Sequence, residues 1–209
     1  MTISTSAILP RCSERLQDAG FVRWTTVELL RHLYDGVQAL ITARPDVYTT
    51  TTTVIPVAGA RQTLPSDAIA LVDVLNNTAT SKRAVTKVSQ ALLEATNRDW
   101  MSATSSNISL NYMYDLRTPR TWYVYPPASG TGSVDLVYSV FPTEVTVVGG
   151  EYDISQQWQN VLLDYVLGRA YAKDAEYGGN ATMSAAHMAA FTKGISDQES
   201  AVNTFSPKQ

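Results

Sequence analysis

The chain has 209 residues, of which 44% are hydrophobic and 17% are charged, and its formal net charge is −3. This length and composition are typical of a globular chain that buries its own core, and they exclude an intrinsically disordered one. The single cysteine, Cys12, excludes an intrachain disulfide and a cysteine-based metal site, and no apolar run approaches the roughly 18 residues that a membrane-spanning helix needs.

The negative charge is concentrated towards the C-terminal end of the sequence. Residues 1–150 contain 12 basic and 12 acidic side chains, whereas residues 151–209 contain four basic and seven acidic ones. The sequence is therefore unlike that of a uniformly basic nucleic-acid-binding protein.

Two helices are predicted at the start of the chain. Residues 25–28, Thr-Thr-Val-Glu, have the pattern of a capping box, in which the Thr25 hydroxyl accepts from the Glu28 amide and the Glu28 carboxylate reaches back. Apolar residues at steps of three and four follow, and Pro45 disfavours helical geometry just before it. We expect a helix over residues 26–43, preceded by a weaker one over residues 10–19.

The middle of the chain, residues 46–150, is predicted to form a β-rich lobe with one short helix. β-Branched residues, including the threonine run 49–53, indicate the first strand, which Gly59 and residues 64–67 interrupt. The predicted elements are strands at 47–57 and 69–75, a helix at 88–95, and alternating strands at 108–114, 122–124 and 134–140. The last three strands are predicted to form an antiparallel meander.

Helical periodicity returns in the last part of the sequence. An apolar stripe begins at Ile154 and continues to Tyr177, where two glycines break it. Asn180 is a good cap for a further helix that ends near residue 201, and the two helices are predicted to form an αα-hairpin. Residues 203–209 lack the pattern and are predicted to form a flexible C-terminal arm.

The order of helices, strands and helices predicts an α+β fold. We expect residues 1–45 and 151–202 to pack as a helical bundle and residues 46–150 to form a central, mainly antiparallel β lobe.

No constellation in the sequence predicts catalytic, cofactor-binding or metal-binding residues. The only histidines are His32 and His187, so there is no HExxH motif and no three-histidine zinc set. The spacing of His187 from Met183 and Phe191 favours packing on a helix face. A serine-nucleophile elbow and a phosphate-binding loop are also absent. We therefore expect neither enzyme activity nor a cofactor.

Aromatic and basic residues are clustered in the predicted sheet. Such a cluster could stack bases or sugars, but cross-strand aromatic pairs also stabilise sheets, and packing or a protein interface is the favoured interpretation. The cluster consists of Tyr112, Tyr114, Arg117, Arg120, Trp122, Tyr123 and Tyr125.

Several short motifs occur in an order and spacing that resemble the head-to-tail adaptor, or connector, proteins of tailed bacteriophages, especially the short-tailed, podovirus-like ones. The resemblance covers roughly residues 20–195. The motifs are Trp24, residues 43–46, residues 59–65, Trp100, residues 112–115, Pro119, residues 123–127 and residues 165–177, of which the last has the greatest weight.

This resemblance implies a virion structural protein without catalytic residues. Such adaptors form a ring, commonly a dodecamer, that docks beneath the portal and extends the channel through which double-stranded DNA passes without specific binding. The implied partners are the chain itself, the portal protein and a tail nozzle or tail tube protein. The implied location is the virion neck, and the implied place of assembly is the host cytoplasm. No membrane is expected as a partner.

The resemblance also implies where the contacts lie. The helical part commonly meets the portal, and the β part faces the tail. The portal-binding segment is then the C-terminal arm, namely Asn203, Thr204, Phe205, Ser206, Pro207, Lys208 and Gln209. Tail-facing or inter-subunit residues are expected at Tyr112, Tyr114, Arg117, Arg120, Trp122 and Tyr123.

Other functions remain open at the level of sequence. Another phage neck part, such as a tail-completion or stopper protein, differs from an adaptor only in its partners. A β lobe that binds glycan or nucleic acid and an enzyme that cleaves peptidoglycan are further alternatives. The acidic excess in residues 151–209 also suggests that carboxylates line a DNA channel and repel phosphate.

Overall fold

The computed structural model of the chain describes residues 2–78, 82–173 and 178–205, and it describes the backbone alone at residues 199 and 201–205. The chain folds into two compact units. The first, the helical unit, combines Met1–Val47 with Pro142–Gln209, and the second, the β unit, is Tyr48–Phe141.

The helices and strands confirm the predicted α+β class. In chain order they are β1 (Ile3–Ser4), α1 (Thr5–Leu16), α2 (Thr26–Ala43), β2 (Thr49–Val54), β3 (Gly59–Thr63), β4 (Ala70–Asn77), β5 (Thr86–Lys87), α3 (Gln90–Thr96), β6 (Asn111–Tyr114), β7 (Thr121–Ala128), β8 (Val134–Ser139), β9 (Glu151–Tyr152), α4 (Gln159–Ala172) and α5 (Gly178–Phe205).

Helix α2 has the bounds that its cap and periodicity predict. The Thr25 hydroxyl accepts a hydrogen bond from the Glu28 amide at 3.3 Å. The Glu28 carboxylate accepts a 2.7 Å hydrogen bond from Lys173 Nζ at the end of α4. The buried face of α2 consists of Leu29, Leu30, Leu33, Gly36, Val37, Leu40 and Ile41.

Helix α4 is the centre of the helical unit, because it packs against α1, α2 and α5. Seven of its fourteen residues are buried, so it has no broad polar face. The Trp24 indole donates to the Ala170 carbonyl at 2.9 Å and joins the loop before α2 to the end of α4. Strands β1 and β9 form a two-stranded antiparallel ribbon, and β1 contacts α1.

Two helices differ in length from their predictions. Helix α1 begins at Thr5, where the Ser4 hydroxyl accepts from the Ser6 amide, and it contains Pro10. The prediction started at Pro10 because proline is common in a first helical turn. Helix α5 extends to Phe205, so part of the predicted arm is helical, and residues 206–209 lie outside the described residues.

The β unit contains two sheets that enclose a common core. A three-stranded antiparallel sheet has the order β2-β8-β4, and a second sheet has the order β3-β7-β6-β5. Both sheets contribute to one hydrophobic cluster, since Leu136 and Tyr138 of β8 and Tyr112 and Trp122 of the second sheet are buried in it.

The predicted antiparallel meander is wrong in its last step. Strands β6 and β7 are antiparallel neighbours as expected, but β8 lies between β2 and β4 in the other sheet. The alternating apolar residues of β8 face the common core from the opposite side. Alternation predicts which face of a strand is buried, and it does not identify the neighbouring strand.

Strand β3 lies where the sequence predicts an interruption. Its buried positions are Ala60 and Gln62. Because Gln62 is polar, the sequence lacks the alternation of apolar and polar residues that would predict a strand here. The Gln62 side-chain amide accepts from the Val57 amide and donates to the carbonyls of Val57 and Gly59, at 2.7–2.9 Å. Gln62 therefore stabilises the sharp connection between β2 and β3.

Candidate functional site

The predicted aromatic and basic cluster lies on β6, β7 and the turn between them, but its side chains are on two opposite faces. Tyr112 and Trp122 point into the core between the two sheets and are 2% and 1% exposed. Tyr123 is on the other face of the same sheet. Successive residues of a strand point to opposite faces, so a cluster in the sequence is divided in the fold.

The two buried rings stabilise the fold. The Tyr112 hydroxyl donates to Asp73 Oδ1 at 2.8 Å, and burial together with the Asp73 carboxylate raises the pKa of Tyr112 above its ordinary value. Trp122 Nε1 is buried, and none of the described residues provides it with a hydrogen-bond partner. In this conformation neither ring offers a surface to a protein, a glycan or a base, so a contact role for Tyr112 and Trp122 stays a prediction that their burial does not support.

The other face of the sheet carries a smaller aromatic cluster. The rings of Tyr123 and Trp100 meet edge to face, with centroids 5.8 Å apart and an interplanar angle of 81°. Met113 is buried beside them, and Tyr125 packs against the same group. Tyr114 does not belong to this cluster, because it is half-buried against the common core on the same face as Tyr112, and its hydroxyl donates to the Pro119 carbonyl at 3.1 Å. These aromatics are packed mainly against their own chain.

The two arginines of the cluster have different surroundings. The Arg120 guanidinium donates to four backbone carbonyls of the segment between β3 and β4, at 3.0–3.5 Å. Arg117 is 90% exposed at its side chain and pairs with Asp115 at 3.2 Å. Next to it Leu116 is 67% exposed. Arg120 therefore holds a loop, whereas Leu116 and Arg117 form an accessible tip.

The predicted portal-binding segment is at the end of the longest helix. The backbone of Asn203, Thr204 and Phe205 belongs to α5, and Ser206, Pro207, Lys208 and Gln209 lie outside the described residues. Helix α5 has 28 residues and α4 has 14. At 1.5 Å per residue they are about 42 Å and 21 Å long, so α5 is about twice as long as the helix on which it packs.

The contacts between α4 and α5 show which part of α5 is packed. Gly168 lies against Met188, and Gly194 lies against Val161 near the start of α4. The Ser184 hydroxyl donates to the Gly168 carbonyl at 2.8 Å. The two helices are antiparallel, so the residues of α5 that follow Gly194 continue past the N-terminal end of α4.

Titratable side chains that could do chemistry are engaged in packing. His187 Nδ1 lies 2.9 Å from Asp164 Oδ1, and its ring stacks on Tyr171, so it joins α4 to α5. Burial lowers the pKa of His32, partly opposed by the Glu28 carboxylate. Burial raises the pKa of the Cys12 thiol to about 12, which keeps it protonated at neutral pH.

Two kinds of site are absent from the described part of the chain. Residues 2–78, 82–173 and 178–205 contain no group of three or more His, Cys, Asp or Glu side chains that could hold a metal ion. Within the same ranges, no helix combines the length and apolar character needed to cross a membrane.

Sequence reasoning missed one accessible surface of the β unit. Strand β2 is at the edge of its sheet, and Ile55 and Val57, which follow it, are 64% and 72% exposed. The signal in the sequence is a run without any charge, residues 47–60. An uncharged, β-branched run is equally typical of a buried strand, so only the tertiary structure identifies it as exposed.

The comparison with known protein families gives one result. Residues 3–207 match the family model described as SU10 adaptor protein. This range includes most of both units, and it agrees with the adaptor resemblance that the motifs predict. No curated protein matches the chain.

Proposed function

Because the chain belongs to the SU10 adaptor protein family, we propose that it is a virion structural protein that joins the portal of a tailed bacteriophage to its tail. Its copies form a ring in the virion neck, and the ring extends the channel for double-stranded DNA. The observation that carries this proposal is the family match over residues 3–207. The short-tailed type and the dodecameric ring belong to the proposal through the resemblance alone.

The length of α5 supports a portal contact at its C-terminal end. Eleven residues of this helix follow Gly194, which lies against Val161 close to the start of α4. A helix end that extends beyond the helix on which it packs can supply a segment for binding a partner. The proposed portal-binding segment is therefore Asn203–Gln209, the same segment that the resemblance implies.

The turn between β6 and β7 supports a contact with the tail or with a neighbouring subunit. Leu116 and Arg117 are exposed at this tip, and half-buried Tyr114 and Tyr123 lie on β6 before it and on β7 after it. An exposed arginine beside an apolar side chain is a common composition of protein interfaces. Tyr112, Trp122 and Arg120 are excluded from this proposed surface because they hold the β unit together.

A ring allows individually weak contacts with the portal to add up to tight binding. A head-to-tail contact between identical chains closes into a ring when the rotation between neighbours permits it. Once the ring is closed, every copy presents one C-terminal segment to the portal, and the combined binding is much tighter than that of one segment.

The test is binding of the purified chain to the portal protein encoded by the same virus. We expect a stable complex in sedimentation and ring-shaped density beneath the portal in negative-stain images. A variant truncated after Val202 should lose most of the binding while it keeps the thermal unfolding midpoint of the full chain. The matched control is Leu116→Ser, which changes the other candidate surface and should bind the portal normally.

Two results would contradict the proposal. If the full chain does not bind the portal at micromolar concentration, the adaptor function is wrong. If the complex forms and the truncated variant binds equally well, the adaptor function stands and the role of Asn203–Gln209 is wrong. A monomer in solution contradicts neither, since the portal can template the ring.

A further inference from the structure

Strand β2 has an unpaired edge that is unusually accessible. In the three-stranded sheet it pairs with β8 on one side, and no described strand lies on its other side. Residues Thr49–Val54 pair with β8 in one continuous antiparallel register. Four of the five threonines are exposed. The edge is therefore straight, six residues long and open to solvent.

The other sheet edges of the β unit carry the features that prevent strand addition. Strand β3 has a register shift beside Arg61. Strand β4 has two register shifts, and backbone hydrogen bonds to residues 83–85 cover part of its free side. Strand β5 is only two residues long. Natural proteins use bulges, charges and short strands to protect sheet edges, and β2 has none of these.

The surroundings of β2 extend the same surface. No charged residue occurs between Asp46 and Arg61, and the exposed side chains of Ile55 and Val57 continue the uncharged surface beyond the strand. Two chains can approach along this run without opposing like charges within it. The nearby Asp135 carboxylate of β8 already accepts a 2.6 Å hydrogen bond from the Thr53 hydroxyl of its own chain. Pro56 ends the strand, because proline has no N–H for a ladder hydrogen bond.

The occupant that fits this edge is the same strand of a second copy. When Thr51 faces Thr51 of an antiparallel copy, Thr50 faces Thr52 and Thr49 faces Thr53, so every threonine of the run meets a threonine. Thr–Thr cross-strand pairs are favourable in antiparallel sheets. A different protein would have to supply its own uncharged strand without bulges, whereas β2 is complementary to itself.

From these observations we infer that β2 is a self-association site, at which two copies of the chain join their three-stranded sheets into one six-stranded antiparallel sheet. The contact has twofold symmetry and therefore differs from the head-to-tail contacts of the proposed ring. It does not depend on the proposed function. Because it involves no ion pairs, the dimerisation constant should change little with salt concentration.

The first experiment measures dimerisation by analytical ultracentrifugation over a range of concentrations, at low and high salt. The wild-type chain should form a dimer as its concentration rises, with similar constants at both salt concentrations. Thr51→Lys adds a charge to the exposed edge and should weaken the dimer at least tenfold. Ala95→Lys adds the same charge to the exposed face of α3 in the same unit and should leave the dimer unchanged. Far-ultraviolet circular dichroism of each variant checks that it is folded.

The second experiment does not rely on a lysine variant. With the buried Cys12 replaced by Ala, Thr51→Cys should form a disulfide-linked dimer on mild oxidation, because Cα atoms of directly opposed antiparallel residues lie about 5 Å apart. Ala95→Cys in the same background is the control for random collisions. A wild-type chain that stays monomeric, a dimer that Thr51→Lys does not weaken, or cross-linking no faster than that of the control would each overturn the inference.

Discussion

Gly168 of α4 lies directly against Met188 of α5, and a Cβ atom on Gly168 would be 2.8 Å from Met188 Sδ and 2.9 Å from its Cγ. The absence of a side chain at this position is therefore what lets the two helices approach. The same relationship recurs where Gly36 of α2 lies against Tyr165 and where Gly194 of α5 lies against Val161. Close approach at small residues makes α4 the centre of the helical unit.

Gly168→Val should destabilise the chain by about 1–3 kcal/mol, because the added atoms overpack the contact with Met188. The measurement is the free energy of unfolding in urea. Gly179→Ala is the matched control on α5, since no described atom lies within 4 Å of the added Cβ. That control should be neutral or stabilising by up to about 1 kcal/mol. Equal unfolding free energies for Gly168→Val and the wild type would show that α4 and α5 can move apart at Gly168 without loss of stability.

Arg120→Lys should destabilise the β unit by about 1.5–3 kcal/mol, because lysine cannot reach four carbonyls with one planar group. The carbonyls belong to Leu64, Pro65, Ser66 and Ala68. Arg117→Lys, three positions earlier in the same turn, should change the unfolding free energy by less than about 0.5 kcal/mol because Arg117 is exposed. Similar effects of the two substitutions in urea denaturation would contradict the assignment of Arg120 to the loop.

Trp122→Ala should destabilise the chain by about 3–5 kcal/mol, since it opens a cavity at a ring that is 1% exposed. Trp122→Phe is the conservative comparison. It keeps an aromatic ring and removes an indole N–H that has no partner, so it should cost less than about 1.5 kcal/mol. Both values come from urea unfolding monitored by circular dichroism. A Trp122→Ala variant as stable as the wild type would restore the interpretation of Trp122 as a binding residue.

The loop after α1 should contribute pH-dependent stability through Asp18. Its carboxylate accepts hydrogen bonds from the backbone amides of Trp24, Val22 and Arg23, and these bonds hold the pKa of Asp18 below its ordinary 3.8. A lowered folded-state pKa means that the stabilisation is complete well above pH 3.8 and disappears as the pH falls through the folded value.

The corresponding measurement compares the unfolding midpoints of the wild type and Asp18→Asn between pH 7 and pH 2.5. The variant should be less stable at pH 7, and the difference should narrow below pH 3.8, where Asp18 of the wild type becomes protonated. Asp153→Asn, at an exposed carboxylate of the same unit, controls for the change in net charge. A difference that is constant over the whole pH range would contradict the role of Asp18.

Local chemistry made several elements of the fold predictable from the sequence. The Thr25 cap, the apolar steps of α2 and Pro45 act within a few residues of one another, and the helix has the predicted bounds. The alternating residues of β6, β7 and β8 likewise determine which side chains are buried. The adaptor family followed from an ordered set of short motifs, and the family match agrees with it.

The arrangement of the strands and the surroundings of the site residues were decided by tertiary structure. Strand β8 pairs with β2 and β4, which are distant in sequence, and no local pattern encodes that choice. Neighbours such as Trp122 and Tyr123 point to opposite faces, so one predicted cluster became a core and a separate aromatic pair. The role of Arg120 depends on carbonyls more than 50 residues away. Backbone propensity and periodicity act between near neighbours, whereas burial and strand pairing depend on segments that only the folded chain brings together.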